Sequence, residues 1–367
     1  MYIYQRRSWP HFHWDQEKLA NPLALVRHKQ GRLIGRMEGL GFSLRSEAML
    51  QTMTLEILKS NEIEGEKLDQ DQVRSSIAQR LGIETFGLVP VDRNIEGVVD
   101  MLLDATQHFD QPLTKDRLFG WHAALFPTGH SSMHKITIAD WRGNEAGPMQ
   151  VVSGPLGRER VHFQAPDASV LDFEMQQFLD WFNRDMRYDP VMKAAIAHLW
   201  FVTIHPFDDG NGRIGRTIAD MQLARADGSA QRFYSMSAQI RKERNRYYEM
   251  LEKTQKGDLD ITEWLDWFLS CLDRALSATE EILAGVLKKA RYWEWLSTKP
   301  ISERQRLMLN KLLDGFDGKL TSSKWAKIAK CSQDTALRDI QKLIEQDVLV
   351  KDESGGRSTS YLLKEIA

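Results

Sequence analysis

Only two cysteines, Cys271 and Cys331, occur in 367 residues, far apart and without metal-ligand spacing. Neither a disulfide framework nor a zinc centre is therefore expected, and a reducing compartment fits best. No segment is apolar for long enough to span a bilayer. The amino terminus, MYIYQRRSWPHFHW, sets charge and aromatic rings where a signal peptide needs an apolar run. A surplus of one charge is missing too: 49 basic and 51 acidic residues leave a formal net charge of -2. No global field then draws the chain to nucleic acid or membrane. Internal repeats, low-complexity tracts and a G-x-x-x-x-G-K-[ST] phosphate loop are also lacking. These absences predict a soluble cytoplasmic protein without a membrane partner. What is there is ordinary in balance, with 42% hydrophobic and 27% charged residues. The length provides for two or three domains and a sizeable core.

Apolar residues recur at helical spacing from Pro22 to about Leu58, as Leu23, Val26, Leu33, Met37, Met49, Leu50, Met53 and Ile57. The same period continues from Ile95 to about Leu125, with Pro112 and Thr114 marking a break and a helix start. Between Thr137 and Pro166 the pattern turns to alternation, in MQVVS and RVHF, around the turn formers Gly154, Pro155 and Gly157. That predicts a β-hairpin. Helix-compatible runs follow, LDFEMQQFLDWFN and then VMKAAIAHLWFVTI, and the second leads straight into HPFDDGNGRIGR, His205 to Arg216. Ile214, Ile218, Met221 and Leu223 predict a further helix from near Gly212, so the stretch lies in a helix-to-helix loop.

That loop gathers acid, base and anion-binding groups. Asp208 and Asp209 would repel a phosphate chain unless a divalent cation, Mg²⁺ first, stood between. Gly210 and Gly212 flank Asn211 and let backbone amides turn toward an anion at a helix amino terminus. Arg213 and Arg216 share one face of the first turn. There they oppose the helix dipole unless an anion is bound, and their guanidinium forks match phosphate oxygens. His205 is the one group in the loop that exchanges a proton near neutral pH. GNGRIG is also formally a dinucleotide fingerprint, with WFVTI as its strand and Asp227 at a suitable distance. Against that reading, strands and helices do not alternate around it, and HPFDD interposes a proline and two negative charges where a pyrophosphate would approach.

HPFDDGNGRIGR resembles the signature of the Fic family, HPFx(D/E)GNGRxxR, at every fixed position, and the likeness extends over about Ile95 to Leu272. The resemblance implies a mainly α fold, a helical core with a β-hairpin flap, and transfer of AMP from ATP to a Ser, Thr or Tyr hydroxyl of target proteins and of the enzyme itself. It implies His205 as general base and Asp209 as ligand of Mg²⁺, with Mn²⁺ as a substitute. Gly210, Asn211 and Gly212 would cradle phosphates, Arg213 and Arg216 would hold the outer ones, and Phe207 would anchor the loop. The segment from Arg241 to Asp258 is similar to the one that closes the adenine pocket, with Tyr247, Tyr248 and Gln255 as contacts; for Tyr247, plain core packing remains open. Gln150, Val151, Val152 and Ser153 resemble the flap, whose edge could pair with an extended target segment.

Upstream, SNEIEG resembles the family's inhibitory pattern. Ser60 and Glu64 lie one helical turn apart, Gly65 can end the helix in the left-handed region, and Arg216 is the natural partner for Glu64. The alternative is a solvated helix end made of Glu62, Glu64 and Glu66.

The carboxyl-terminal segment resembles a winged helix, with Ser322–Ala329 and Gln333–Glu345 as helices, Ser332 as cap and a wing around Gly355 and Gly356. From Lys299 onward there are 13 basic and 10 acidic residues, and Asp334 and Asp339 would face phosphates badly, so DNA binding and protein docking both stay open. The expected division is a helical region over 1–94, a catalytic core over 95–290 and a winged-helix domain over 291–367. The expected activity is Mg²⁺-dependent AMP transfer, restrained in cis by Glu64. Removal of AMP at the same site, a DNA-binding regulator that senses nucleotide, and a homodimer are left open.

Overall fold

Asp15 begins the first helix six residues before the apolar pattern suggests. Its carboxylate accepts from Lys18 N–H, so α1 (Gln16–Glu38) starts at this cap and takes Pro22 inside it. The structure, a computed structural model, describes every residue except 85–86, 132–133, 145–146, 155–157, 185–186, 317, 353–358 and 366–367. Pro155, Gly157, Gly355 and Gly356, expected in turns, lie outside the described residues.

The protein is mainly helical. After α1 come α2 (Phe42–Ile63), α3 (Gln70–Leu81), α4 (Arg93–Gln107) and α5 (Lys115–Leu125). Thr114 caps α5 through a bond from Arg117 N–H, as its place in the sequence suggests. Two short strands, β1 (His130–Ser131) and β2 (His134–Lys135), precede the expected hairpin of β3 (Gln150–Ser153) and β4 (Arg160–Gln164). The hairpin is antiparallel, pairs Gln150 with Gln164 and Ser153 with Arg160, and has a bulge between Val151 and Val152.

Then follow α6 (Leu171–Arg184), α7 (Pro190–Ile204), α8 (Asn211–Asp227), α9 (Met236–Lys242), α10 (Arg244–Gln255) and α11 (Thr262–Leu296). Every residue of α7 from Val191 to Ile204 is buried, which makes it the central helix of its unit. α8 packs closely on it because residue 215 is glycine: a β-carbon there would stand 2.8 Å from Val202 Cγ1. WFVTI is thus helix and no strand leads into GNGRIG, which removes the dinucleotide-fold alternative.

The chain divides into two compact units, Met1–Ile83 with Leu88–Glu280, and Glu84–Gly87 with Glu281–Ala367. This differs from a three-part division at 94 and 290. Packing of α2 on α8 and α9 keeps the amino-terminal helices in the first unit. The second unit holds α12 (Glu303–Leu313), α13 (Ser322–Ile328), α14 (Gln333–Glu345) and the antiparallel pair β5 (Leu349–Lys351) and β6 (Tyr361–Leu363). Ser302 and Gln305 form a capping box on α12, Ser332 caps α14, and the core gathers Trp325, Leu309, Ile340 and Leu343. Among the described residues, no helix is long and apolar enough to cross a membrane.

Candidate active site

His205 ends α7 in the left-handed region, with φ +54°, a conformation a side chain adopts only when its surroundings hold it there. Arg142 supplies that hold. Its Nε donates to His205 O at 2.8 Å, its Nη2 to Pro166 O at 2.6 Å, and its backbone N–H to Pro206 O at 2.9 Å. The next residue, Phe207, is fully buried and stacks on His122 with ring centroids 4.2 Å apart. Asn211 closes the loop from its far end: its carboxamide accepts from Phe207 N–H at 3.0 Å and donates to Phe207 O at 2.8 Å. The Asn211 side chain is thereby spent on the loop, and what it can offer an anion is its backbone N–H.

Burial lowers the His205 pKa to about 4, and the nearby Arg142 charge acts in the same sense. The ring is neutral at neutral pH. Its Nδ1 lies 3.1 Å from Val202 O, a bond only an N–H can make, so Nε2 keeps its lone pair and can take a proton.

The two aspartates differ in their attachments. Asp208 Oδ2 accepts from Thr137 N–H at 2.8 Å. Asp209 accepts from Gly210 N–H at 2.5 Å and from the Ser131 hydroxyl. Gly210, at φ +83°, serves as N-cap of α8, and a β-carbon on it would meet the Phe126 ring at 2.9 Å. Beyond it, the first N–H groups of α8 have no acceptor within the helix.

Glu64, one residue past the end of α2, lies at that amino terminus. Its Oε1 is 2.8 Å from Arg216 Nη2, and a β-carbon on residue 212 would collide with its carboxylate. Arg216 also donates from Nε to Ser60 Oγ at 3.0 Å and from Nη2 to Ser60 O at 2.9 Å. Burial works to lower the Arg216 pKa, but the charge of Glu64 outweighs it and the net shift is upward. Gly65 takes φ +89°, the left-handed exit its sequence position implies. Arg213 is buried, pairs with Glu66 at 2.8 Å and lies over the Phe126 ring at 5.0 Å. Glu62 pairs with Lys59 at 2.6 Å and with Arg241 at 3.5 Å. All three glutamates of this helix end are therefore in ion pairs.

A cleft of about 640 Å³ joins most of the expected residues: Glu64, Gln150 to Ser153, His205, Asp209 to Gly212, Tyr247, Tyr248 and Gln255 line it. Ser60, Arg213 and Arg216 are not among its lining residues, because both guanidinium groups are turned to α2 and its carboxyl end. Tyr247 is buried, with its hydroxyl 2.9 Å from His198 Nε2, so core packing is part of its role. The Tyr248 hydroxyl reaches Ile63 O and Glu64 Oε2, each at 3.4 Å, and Gln255 Nε2 lies 3.3 Å from Thr203 Oγ1. Arg142, His122, Ser131, Thr137 and Glu66 were not anticipated. Glu66 stood in the acidic run, but nothing in the spacing of the others from the loop signals contact.

Residues 112–223 match the family model described as Fic/DOC family, and residues 2–83 match one described as a domain of unknown function (DUF4172). The chain carries a Fic/DOC domain. Among curated relatives, the protein adenylyltransferase Fic of Culex quinquefasciatus is 32% identical over 141 residues, 36% of this chain and 27% of its own length. That of Drosophila willistoni is 35% identical over 131 residues, 34% of this chain and 25% of its own. The chain thus spans about a quarter of the length of these relatives. A solved Fic family protein from Desulfovibrio desulfuricans G20 shares the fold over 98% of this chain and 99% of its own, with TM-score 0.55 and 20% identity. A Fic domain containing signaling protein from Bacteroides thetaiotaomicron VPI-5482 does so over 73% and 98%, with TM-score 0.51 and 19% identity.

Proposed function

We propose that the chain transfers AMP from ATP to a Ser, Thr or Tyr hydroxyl of a target protein, releases pyrophosphate, and is restrained by Glu64. The observation that supports this most is the neutral His205, its Nε2 lone pair available, in one cleft with Asp209 and the amino terminus of α8. His205 takes the proton of the incoming hydroxyl as its oxygen attacks the α-phosphorus and the bond to pyrophosphate breaks. The free N–H groups at the start of α8 hold phosphate oxygens, and Arg213 and Arg216 hold the outer phosphates once Glu66 and Glu64 release them.

Among the described residues no cluster of three or more His, Cys, Asp or Glu side chains forms a ready-made metal site. That suits Mg²⁺ of the nucleotide-bound kind, which takes one or two carboxylates and completes its shell with phosphate and water oxygens. Asp209 would hold it, with Mn²⁺ as a substitute, and when bound the ion would neutralise phosphate charge. Gln150 to Ser153 would align an extended target segment by strand addition: β3 is paired only with β4 among the described residues. Because the Glu64 carboxylate lines the cleft, we also assign it a role in removing AMP, by orienting a water when ATP is absent. For the second unit we propose a winged-helix docking module. Asp339 of α14 is paired with Arg304 at 2.9 Å, so its charge is balanced within the unit, and the module would dock either a protein or DNA.

Labelled ATP tests the reading. Label appearing on lysate proteins or on the chain supports it; ATP-dependent retention on a DNA fragment with no transferred label would replace it with a nucleotide-sensing regulator.

A further inference from the structure

At the rim of the same cleft a second proton relay is built that the reading above does not use. Ser153 Oγ lies 2.5 Å from His162 Nε2, and His162 Nδ1 lies 2.6 Å from Glu252 Oε2. All three residues line the cleft. Glu252 is held in turn by Lys256 at 2.6 Å and Arg160 at 3.1 Å. Burial pushes its carboxyl pKa up, but the bonds from Lys256, His162 and Arg160 prevail and bring it down to about 2. A carboxylate facing Nδ1 fixes the N–H on that nitrogen, and Nε2 is left to accept from the serine. Nucleophile, base and orienting carboxylate thus stand in the order that activates a hydroxyl.

A tether role explains only part of this. The bond from His162 to Glu252 ties the hairpin to α10. The bond from Ser153 to His162 ties the hairpin to itself, since the two residues sit on the paired strands β3 and β4. It anchors nothing further, yet it directs the lone pair of an imidazole onto an exposed hydroxyl at the end of β3.

We propose that Ser153 is the chain's own acceptor of AMP, activated by His162 and Glu252. The inference rests on the AMP-transfer reading and names an acceptor for it. Ser153 Oγ attacks the α-phosphorus of ATP, its proton passes to His162 Nε2, and the bond from that phosphorus to the pyrophosphate oxygen breaks. Serine-linked AMP and pyrophosphate result, and the imidazolium is stabilised by Glu252 until it loses the proton to water. The bulky, negatively charged ester then stands at the end of the strand on which a target segment would align.

The test uses the full chain with Glu64→Gly, incubated with ATP and Mg²⁺ and mapped by peptide mass spectrometry. AMP is expected on Ser153. Ser153→Ala should remove that label and Ser153→Thr should keep AMP on residue 153, an outcome that mere disturbance of the flap would not produce. His162→Gln should lower the initial rate of labelling at residue 153, at saturating ATP, by on the order of a hundredfold. Label elsewhere on the chain but not on Ser153 overturns this inference and leaves AMP transfer standing. Label on Ser153 at an unchanged rate in His162→Gln overturns the relay. No label on the chain or on any added protein overturns both readings.

Discussion

The loop from His205 to Gly210 and the hairpin β3–β4 border one cleft, yet they are held to different degrees. The loop is fixed from within: Phe207 is buried, Asn211 clamps the backbone at Phe207, and the buried Arg142 bonds three carbonyl oxygens, at His205, Pro206 and Pro166. The hairpin has one buried anchor, Phe163, which meets the Tyr2 and Tyr4 rings edge-on; otherwise it is held by the Arg160–Glu252 ion pair and the His162–Glu252 hydrogen bond, and it keeps Val152 47% and Val161 38% exposed. Buried bonds that would be left unmade on any movement set a position sharply, whereas partly hydrated ion pairs permit adjustment at little cost. A group that must meet a reacting atom belongs on the first kind of support. A surface that must accept partners of varied shape belongs on the second.

The largest expected effect lies on the rigid side. His205→Ala should lower transfer by roughly 10²- to 10⁴-fold while ATP still binds, because in the proposed mechanism the ring acts on the hydroxyl and not on the nucleotide. Calorimetric titration beside a labelling assay checks this, and parallel loss of binding and transfer would remove the proposed role. Glu64→Gly should raise transfer about a hundredfold, the scale on which a misplacement of about 1 Å costs rate. Adding Arg216→Ala should cancel the gain, since release helps only if the freed guanidinium has a phosphate to hold. A matched ATP assay in which Glu64→Gly is no faster than the parent sinks the inhibitory role.

Arg142→Ala should strip the side-chain donors from the carbonyls of His205 and Pro166, at a cost of about 1–3 kcal/mol for each one left unsatisfied. The urea midpoint should fall and transfer with it; a folded, fully active variant would show that the loop is held otherwise. An effect of similar size comes with acid. Burial lowers the pKa of both His122 and His198 to about 4. Between the ordinary histidine range, about 6.5, and about 4, the unfolded chain binds protons that the fold refuses. Stability should therefore be full above that window and fall as pH drops through it, by about 1.4 kcal/mol per pH unit for each ring. A flat urea midpoint from neutral pH to pH of about 4.5 would contradict it. Least of all, Glu252→Ala should change stability by about 1 kcal/mol, since its partners Arg160 and Lys256 are themselves exposed. Its expected mark is a severalfold rise in KM for a target, read in the labelling assay.

The loop was legible in the sequence because its chemistry is local. His205, Asp209, Gly210 and Gly212 fall within eight residues of chain, so the short connection from α7 to α8 brings their groups together. The contact of Glu64 with Arg216 was legible for a related reason: Ser60 and Glu64 share a helix face, and the buried Arg216 needs a counter-charge. Arg142, Ser131 and Thr137 were not legible, because their bonds to the loop depend on how an irregular segment returns over 63 to 78 residues of chain. No period or spacing encodes that. The start of α1 shows the limit at short range: apolar spacing pointed to Pro22, whereas a polar cap, Asp15, set the true start. The flap relay was missed because Ser153 and His162 lie on strands whose register comes from pairing, and Glu252 is 90 residues further on.

Arg216 spends the same nitrogen, Nη2, on both Ser60 O and Glu64 Oε1. On the proposed reading, an outer phosphate that takes this nitrogen competes with α2 for it, which makes the two sites rivals in one equilibrium. Linkage then demands reciprocity: by whatever factor the docking of α2 weakens an anion that needs Arg216, that anion weakens the docking of α2. The helix end at residues 60–65 thus becomes a reporter of the cleft's occupancy, and faster amide exchange there on adding nucleotide would measure the coupling free energy without any transfer taking place.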